Sequence, residues 1–168
     1  MKNEYLTLYH ATNENSLNLM RQTGYIGLDQ EDYKLLSKEV STILSCEEKI
    51  FYDLIDKDSG ESNGGVSFFP ILSSCERILK YYAKHGGEWR GVFIRQAFKR
   101  YARKNKISYK SLEEKMNNLI GSDSMPVILE FSIPKTYVVN TDSIGTNEEH
   151  YTEKKVSMNY LVKVHYCR

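Results

Sequence analysis

Val127-Ile128-Leu129-Glu130-Phe131-Ser132-Ile133 is where the period of this chain changes. Before it, apolar residues recur at helical spacing. Here they crowd into a run of β-branched and aromatic residues stopped by Pro134, which reads as a strand. Going forward, Tyr137–Val139 reads as a second short strand, and Tyr151–Val156 and Leu161–Tyr166 complete a β-rich end. Going back, Ser111–Ile120 reads as a helix closed by Gly121, and Trp89–Lys104 as a longer one. Ser73 with Glu76 matches a capping box for a helix through Ile78, Leu79, Tyr82 and Ala83, ended by Gly86-Gly87. Val66–Phe69 is a short apolar strand before Pro70, and Asp56–Gly65 is a loop. Tyr33–Ile55 carries two helices, broken near Ser45 and opened by the capping residue Asp29. A shorter helix around Leu17–Met20 stops at Gly24. Tyr5–His10 reads as the first strand.

The order is strand, helices, strand, helices, then several strands. Sequential βαβ alternation is missing, which argues against a doubly wound parallel sheet. The expectation is an α+β fold with a mixed or antiparallel sheet and helical insertions at Asp29–Ile55 and Trp89–Ile120. No convincing linker interrupts the 168 residues, so residues 1–168 are read as a single domain.

Composition narrows the function classes. Hydrophobic residues make up 40% and charged residues 27%, a globular balance that argues against general disorder. Tyrosine is abundant, 13 against 6 phenylalanines, and suits wet clefts because it has an apolar body and a polar tip. The formal charge of +1 demands neither nucleic acid nor membrane. Yet Arg95, Lys99, Arg100, Arg103, Lys104, Lys106 and Lys110 fall together, either as a solvated helix face or as a patch for an acidic partner. The three cysteines, Cys46, Cys75 and Cys167, are widely spaced, suggest no metal site and fit a reducing compartment. The amino terminus lacks the apolar run of a signal peptide, and no stretch is long enough to span a bilayer. The expected location is the cytoplasm, or a target cell reached by secretion without a classical signal.

Phosphate-loop, dinucleotide-fingerprint, zinc-protease and nucleophile-elbow motifs are all missing. The most informative polar residue is His10, at a strand end beside Thr12 and a helix start, a place suited to a ligand carrying phosphate or hydroxyls.

Around it, Leu8-Tyr9-His10-Ala11-Thr12, a short helix and Gly24-Tyr25-Ile26 resemble the opening of the ADP-ribosyltransferase superfamily. Gly65-Val66-Ser67-Phe68-Phe69, followed by a helix to Tyr81-Tyr82-Ala83, is similar to that family's second motif. Val127–Pro134, then Glu148–Leu161, is similar to its last two strand motifs. The resemblance implies a split β-sheet and NAD as co-substrate. It places His10 on the adenosine-side ribose, the Ala11 backbone on the nicotinamide amide, and Thr12 beside them. Ser67 falls where many members carry the nicotinamide-stacking tyrosine, which leaves Phe68, Phe69 or Tyr81 to supply an aromatic face. Aligning Val156 and Tyr160-Leu161 puts the catalytic glutamate at Glu149, with Glu148 and Glu153 open as alternatives. Arg90 could pair with the pyrophosphate. Cleavage of the nicotinamide–ribose bond passes through an oxocarbenium-like state, which a carboxylate stabilises.

The resemblance implies a mono-ADP-ribosyltransferase, a toxin or effector, acting on a protein or nucleic-acid acceptor, with no metal and no membrane. Two alternatives stay open. One is an NAD hydrolase or RNA 2′-phosphotransferase on the same fold. The other is a catalytically degenerate binding module.

Overall fold

A computed structural model describes residues 4–55, 64–85, 89–139 and 149–167. Val127–Ile133 lies in the central strand of its main sheet. β1 (Tyr5–Asn13) pairs antiparallel with β4 (Pro126–Pro134), in register from Tyr5–Pro134 to Asn13–Pro126. β7 (Leu161–Tyr166) pairs antiparallel with the other edge of β4. Val127, Ile128, Leu129, Phe131 and Ile133 are completely buried. The strand is covered on both faces, so apolar residues occupy both, and within Val127–Pro134 only Glu130 and Ser132 are half-buried.

Two smaller ladders complete the β structure. β2 (Tyr25–Ile26) pairs with β6 (Val156–Ser157), and β3 (Ser67–Phe68) with β5 (His150–Tyr151), both antiparallel. One bridge joins β3's end to β1: Tyr9 and Phe69 exchange two backbone hydrogen bonds of 2.8 Å. The fold is α+β, and every ladder among the described residues is antiparallel.

The helices follow their local signals. α1 (Glu14–Thr23) begins at Asn13, whose side chain accepts from the Ser16 amide. It ends at Gly24, in the left-handed region with φ 79°. α2 (Gln30–Leu44) begins at Asp29 with a reciprocal capping box to Asp32. α3 (Leu72–His85) and α4 (Trp89–Asn105) flank residues 86–88, where the expected glycine stop lies outside the described residues. α5 (Glu113–Ile120) ends at Gly121, φ 74°. Most of the expected Asp56–Gly65 loop is also outside the described residues.

Several expectations need correcting. The segment after Ser45 is a short 3-10 helix, Glu48–Leu54, seven residues long, because Ser45 turns left-handed and ends the α-helix before it. Ser73 lies inside α3: the Ile71 carbonyl already accepts from the Ser74 and Cys75 amides, so the helix starts ahead of the proposed capping box. Tyr137–Val139 is not a strand. Lys135–Tyr137 forms a 3-10 turn after Pro134, and only Val138 then finds a bridge partner, Thr152. Tyr151–Val156 splits into β5 and β6, because the Thr152 hydroxyl donates to the Lys154 carbonyl and turns the chain between them.

Three apolar clusters result. One face of the central sheet carries Leu8, Phe68, Leu129 and Phe131 with Leu17 of α1. The opposite face carries Ala11 and Ile128 against Cys75, Leu79 and Ala83 of α3. A third is wholly helical: Tyr33, Val40, Phe51, Phe93, Ile94, Phe98 and Ile120. The two expected insertions therefore pack mainly against each other.

Candidate functional site

The clearest concavity is a cavity of about 280 Å³ bounded by β1, α1, β2, α2 and β3. Leu19 and Met20 come from α1, and Tyr33, Leu35 and Leu36 from one face of α2. His10, Ser67, Arg90 and Lys155 supply polar groups. Apolar walls with few polar groups are the usual make-up of a small-molecule site.

His10 is the best-defined polar group. Its Nδ1 lies 3.0 Å from the Ser67 carbonyl oxygen. A carbonyl can only accept, so Nδ1 carries the proton and donates. Burial lowers the imidazole's pKa, and the bond to Ser67 opposes this only in part. The neutral ring therefore presents Nε2 as a hydrogen-bond acceptor, which suits a ligand hydroxyl. Phe68 packs edge-on against the ring at 5.9 Å between centroids and fixes its plane.

Arg90 enters the cavity from the first turn of α4. Its Nη1 donates 3.0 Å to the Leu119 carbonyl, tying α4 to the end of α5. Burial disfavours its charge and nearby Glu39, which also lines the cavity, favours it. Lys155 bridges Asp29 at 2.9 Å and Asp32 at 2.5 Å. Burial alone would raise the Asp29 carboxyl, but Lys155 and the bonds from Asp32 hold it at about 2. This ion-pair cluster pins the start of α2 to the β5–β6 turn.

His10, Ser67 and Arg90 are thus gathered at one cavity, and the other expected residues are not. Ala11 is buried on the opposite sheet face, against α3. Thr12 is fully buried, and its hydroxyl lacks a hydrogen-bond partner among the described residues. Phe68 is fully buried beneath His10, so its ring offers no free face. Tyr81 is exposed on α3 and does not line the cavity. Glu149, just before β5, accepts from the Tyr151 hydroxyl at 3.1 Å. Neither it nor the exposed Glu153 lines the cavity, and Glu148 lies outside the described residues. Buried beside Phe68 across β3 and β5, His150 has neither ring nitrogen hydrogen bonded among the described residues.

Reading along the chain missed the contribution of α2. Asp32, Leu36 and Glu39 line the cavity at steps of four and three, with Leu35 beside them, which is one helical face. That spacing marks a face but cannot say whether it meets core or cavity. Among the described residues no cluster of three metal-binding side chains occurs, and no helix is long and apolar enough to cross a membrane.

In comparison with known proteins, no family model matches the chain, no curated protein matches it, and no solved structure matches its fold.

Proposed function

We propose that this chain is an NAD-dependent mono-ADP-ribosyltransferase, a toxin or effector whose acceptor is a macromolecule. The observation that carries the reading is the state of His10. It is a neutral imidazole with one nitrogen committed to the Ser67 carbonyl and the other left as an acceptor at a largely apolar cavity. A ribose hydroxyl is one donor that such an atom accepts from. Leu19, Tyr33 and Leu36 offer apolar surface to a base, and Arg90, whose one bond among the described residues is to Leu119, keeps further donors for a phosphate oxygen.

In this reading the C1′–nitrogen bond breaks with its electron pair leaving on nicotinamide. The acceptor attacks C1′ and gives up a proton. A carboxylate stabilises the cationic ribose between these events. Glu149 is assigned that part. It stands two residues from Tyr151, the register partner of Ser67, about 7 Å along the strand. It would have to reach the ribose from that side. With water as acceptor the same site would be an NAD hydrolase.

A binding module without catalysis is the second reading. It is favoured by the absence of Glu149 and Glu153 from the cavity lining and by serine at position 67.

The deciding experiment combines calorimetric titration of NAD with an assay of nicotinamide release, on the unmodified protein, His10→Ala and Glu149→Gln. The transferase reading expects binding that His10→Ala abolishes and release that Glu149→Gln abolishes. Binding without release, with acceptor extracts present, would establish the binding module. No binding of NAD would remove both nucleotide readings.

A further inference from the structure

The seven basic residues from Arg95 to Lys110 have no acidic residue among them. The chain's net charge is +1, so subtracting these seven leaves −6 for all the rest. The protein is strongly polarised although nearly neutral. α4 explains how the charge is displayed. Phe93, Ile94, Ala97 and Phe98 enter the helical core. Helical geometry then turns Lys99, Arg103 and Lys104 outward, and all three are exposed.

These side chains, with Arg100, line a second depression of about 340 Å³ whose apolar edge is Leu54. Arg100 is paired with Asp53, whereas no carboxylate pairs with Lys99, Arg103 or Lys104 among the described residues. The Lys99 ammonium rests 5.7 Å from the centre of the Tyr109 ring.

We propose that this face of α4 binds the phosphate backbone of a nucleic acid without reading its bases. Cations repeat four residues apart, at Lys99 and Arg103 and again at Arg100 and Lys104, about 6 Å along the helix axis. Such a row matches a polymer that carries charge on every unit. Arginine's planar fork favours phosphate oxygens, and lysine adds charge without sequence information. An acidic peptide would need its own run of carboxylates, and the groove offers it no strand edge and one apolar residue. The inference stands apart from the proposed activity, since the groove and the His10 cavity share no lining residue. If both hold, the bound strand lies near the cavity. Arg90 and Arg100 are ten residues apart on one helix, about 15 Å.

The test is fluorescence anisotropy with two labelled probes, a single-stranded RNA of about 20 nucleotides and a DNA duplex of similar length, from about 50 to 200 mM salt. The combined substitution Lys99→Glu, Arg103→Glu and Lys104→Glu is compared with Lys38→Glu, Lys80→Glu and Lys84→Glu, which changes net charge equally at exposed positions elsewhere. Circular dichroism checks folding. Should the glutamate set unfold, glutamine at the same three positions replaces it. At least one probe should bind. The α4 set should weaken binding about tenfold or more and flatten the salt slope by about 2. Preference for one probe would say which form of nucleic acid is held. No binding of either probe would overturn the proposal. Equal weakening by the control set, or equally tight binding of polyglutamate, would do the same.

Discussion

At the scale of single residues, His10 sets the pH behaviour. Burial lowers its folded pKa below the ordinary value near 6.5. Below that value the unfolded chain takes up a proton that the folded chain resists, so stability from the neutral ring is present above about 6.5 and lost as pH falls. Denaturant titrations from neutral to mildly acidic pH should show this decline, and His10→Gln should flatten it. NAD affinity should fall over the same acidic range, because a proton on Nε2 turns the ribose acceptor into a donor. Calorimetry at two pH values checks this. Glu149 makes a separate prediction. Under the transferase reading, Glu149→Gln should lower nicotinamide release by about 10²–10³-fold while NAD affinity is retained. An equal loss in Glu153→Gln alone would move the assignment to that residue.

Among the elements, the junction at Asn13 carries the most. This fully buried side chain accepts from the Ser16 amide, and its Nδ2 donates to Ala83 at 2.8 Å and Gly121 at 3.2 Å. It ties together the end of β1, the start of α1, α3 and the close of α5. Asn13→Ala would leave buried carbonyls unpaired and remove a cap, an expected loss of about 2–4 kcal/mol in denaturant unfolding. Asn13→Asp should be no better, because a carboxylate cannot donate to those carbonyls. Gly27 is a second sensitive point. Its φ is 107°, and a side-chain carbon there would run into the Gly64 carbonyl and approach Val66 Cγ2 at 2.9 Å. Gly27→Ala should destabilise the fold and disturb the cavity wall, by about 1–3 kcal/mol.

For the whole molecule, the cavity lies between the sheet and α2, whose buried side belongs to the helical core. A ligand seated there touches both bodies. If NAD is that ligand, a hundredfold excess over its Kd should add about 2.7 kcal/mol and raise the melting temperature by about 5–10 °C. His10→Ala should remove the shift. Phe98 is fully buried in the helical core. Phe98→Ala should cost about 3–5 kcal/mol, and far- and near-ultraviolet circular dichroism should still show one transition if the helical core and the sheet unfold together.

The amino-acid sequence by itself determined whatever depends on near neighbours. The burial of β4 is written in the dense apolar run around Val127–Leu129, Phe131 and Ile133, the stop of α1 in Gly24, and the start of α2 in Asp29 with Asp32, because caps and periodicity act within one or two turns. His10 could be singled out for the same reason, as a polar residue at a strand end beside a capping cluster. The tertiary structure alone decided what faces what. The expected strand at Tyr137–Val139 failed because a strand needs a partner, and only Val138 has one. One helical face of α2 became a cavity wall because β1 and β3 stand opposite it, residues far away along the chain. Glu149 and His10 were joined in the reading by motif order, but motif order does not say to which side of a strand a side chain points. The packing that leaves Glu149 off the cavity lining and buries Phe68 under His10 is a long-range outcome that no local pattern encodes.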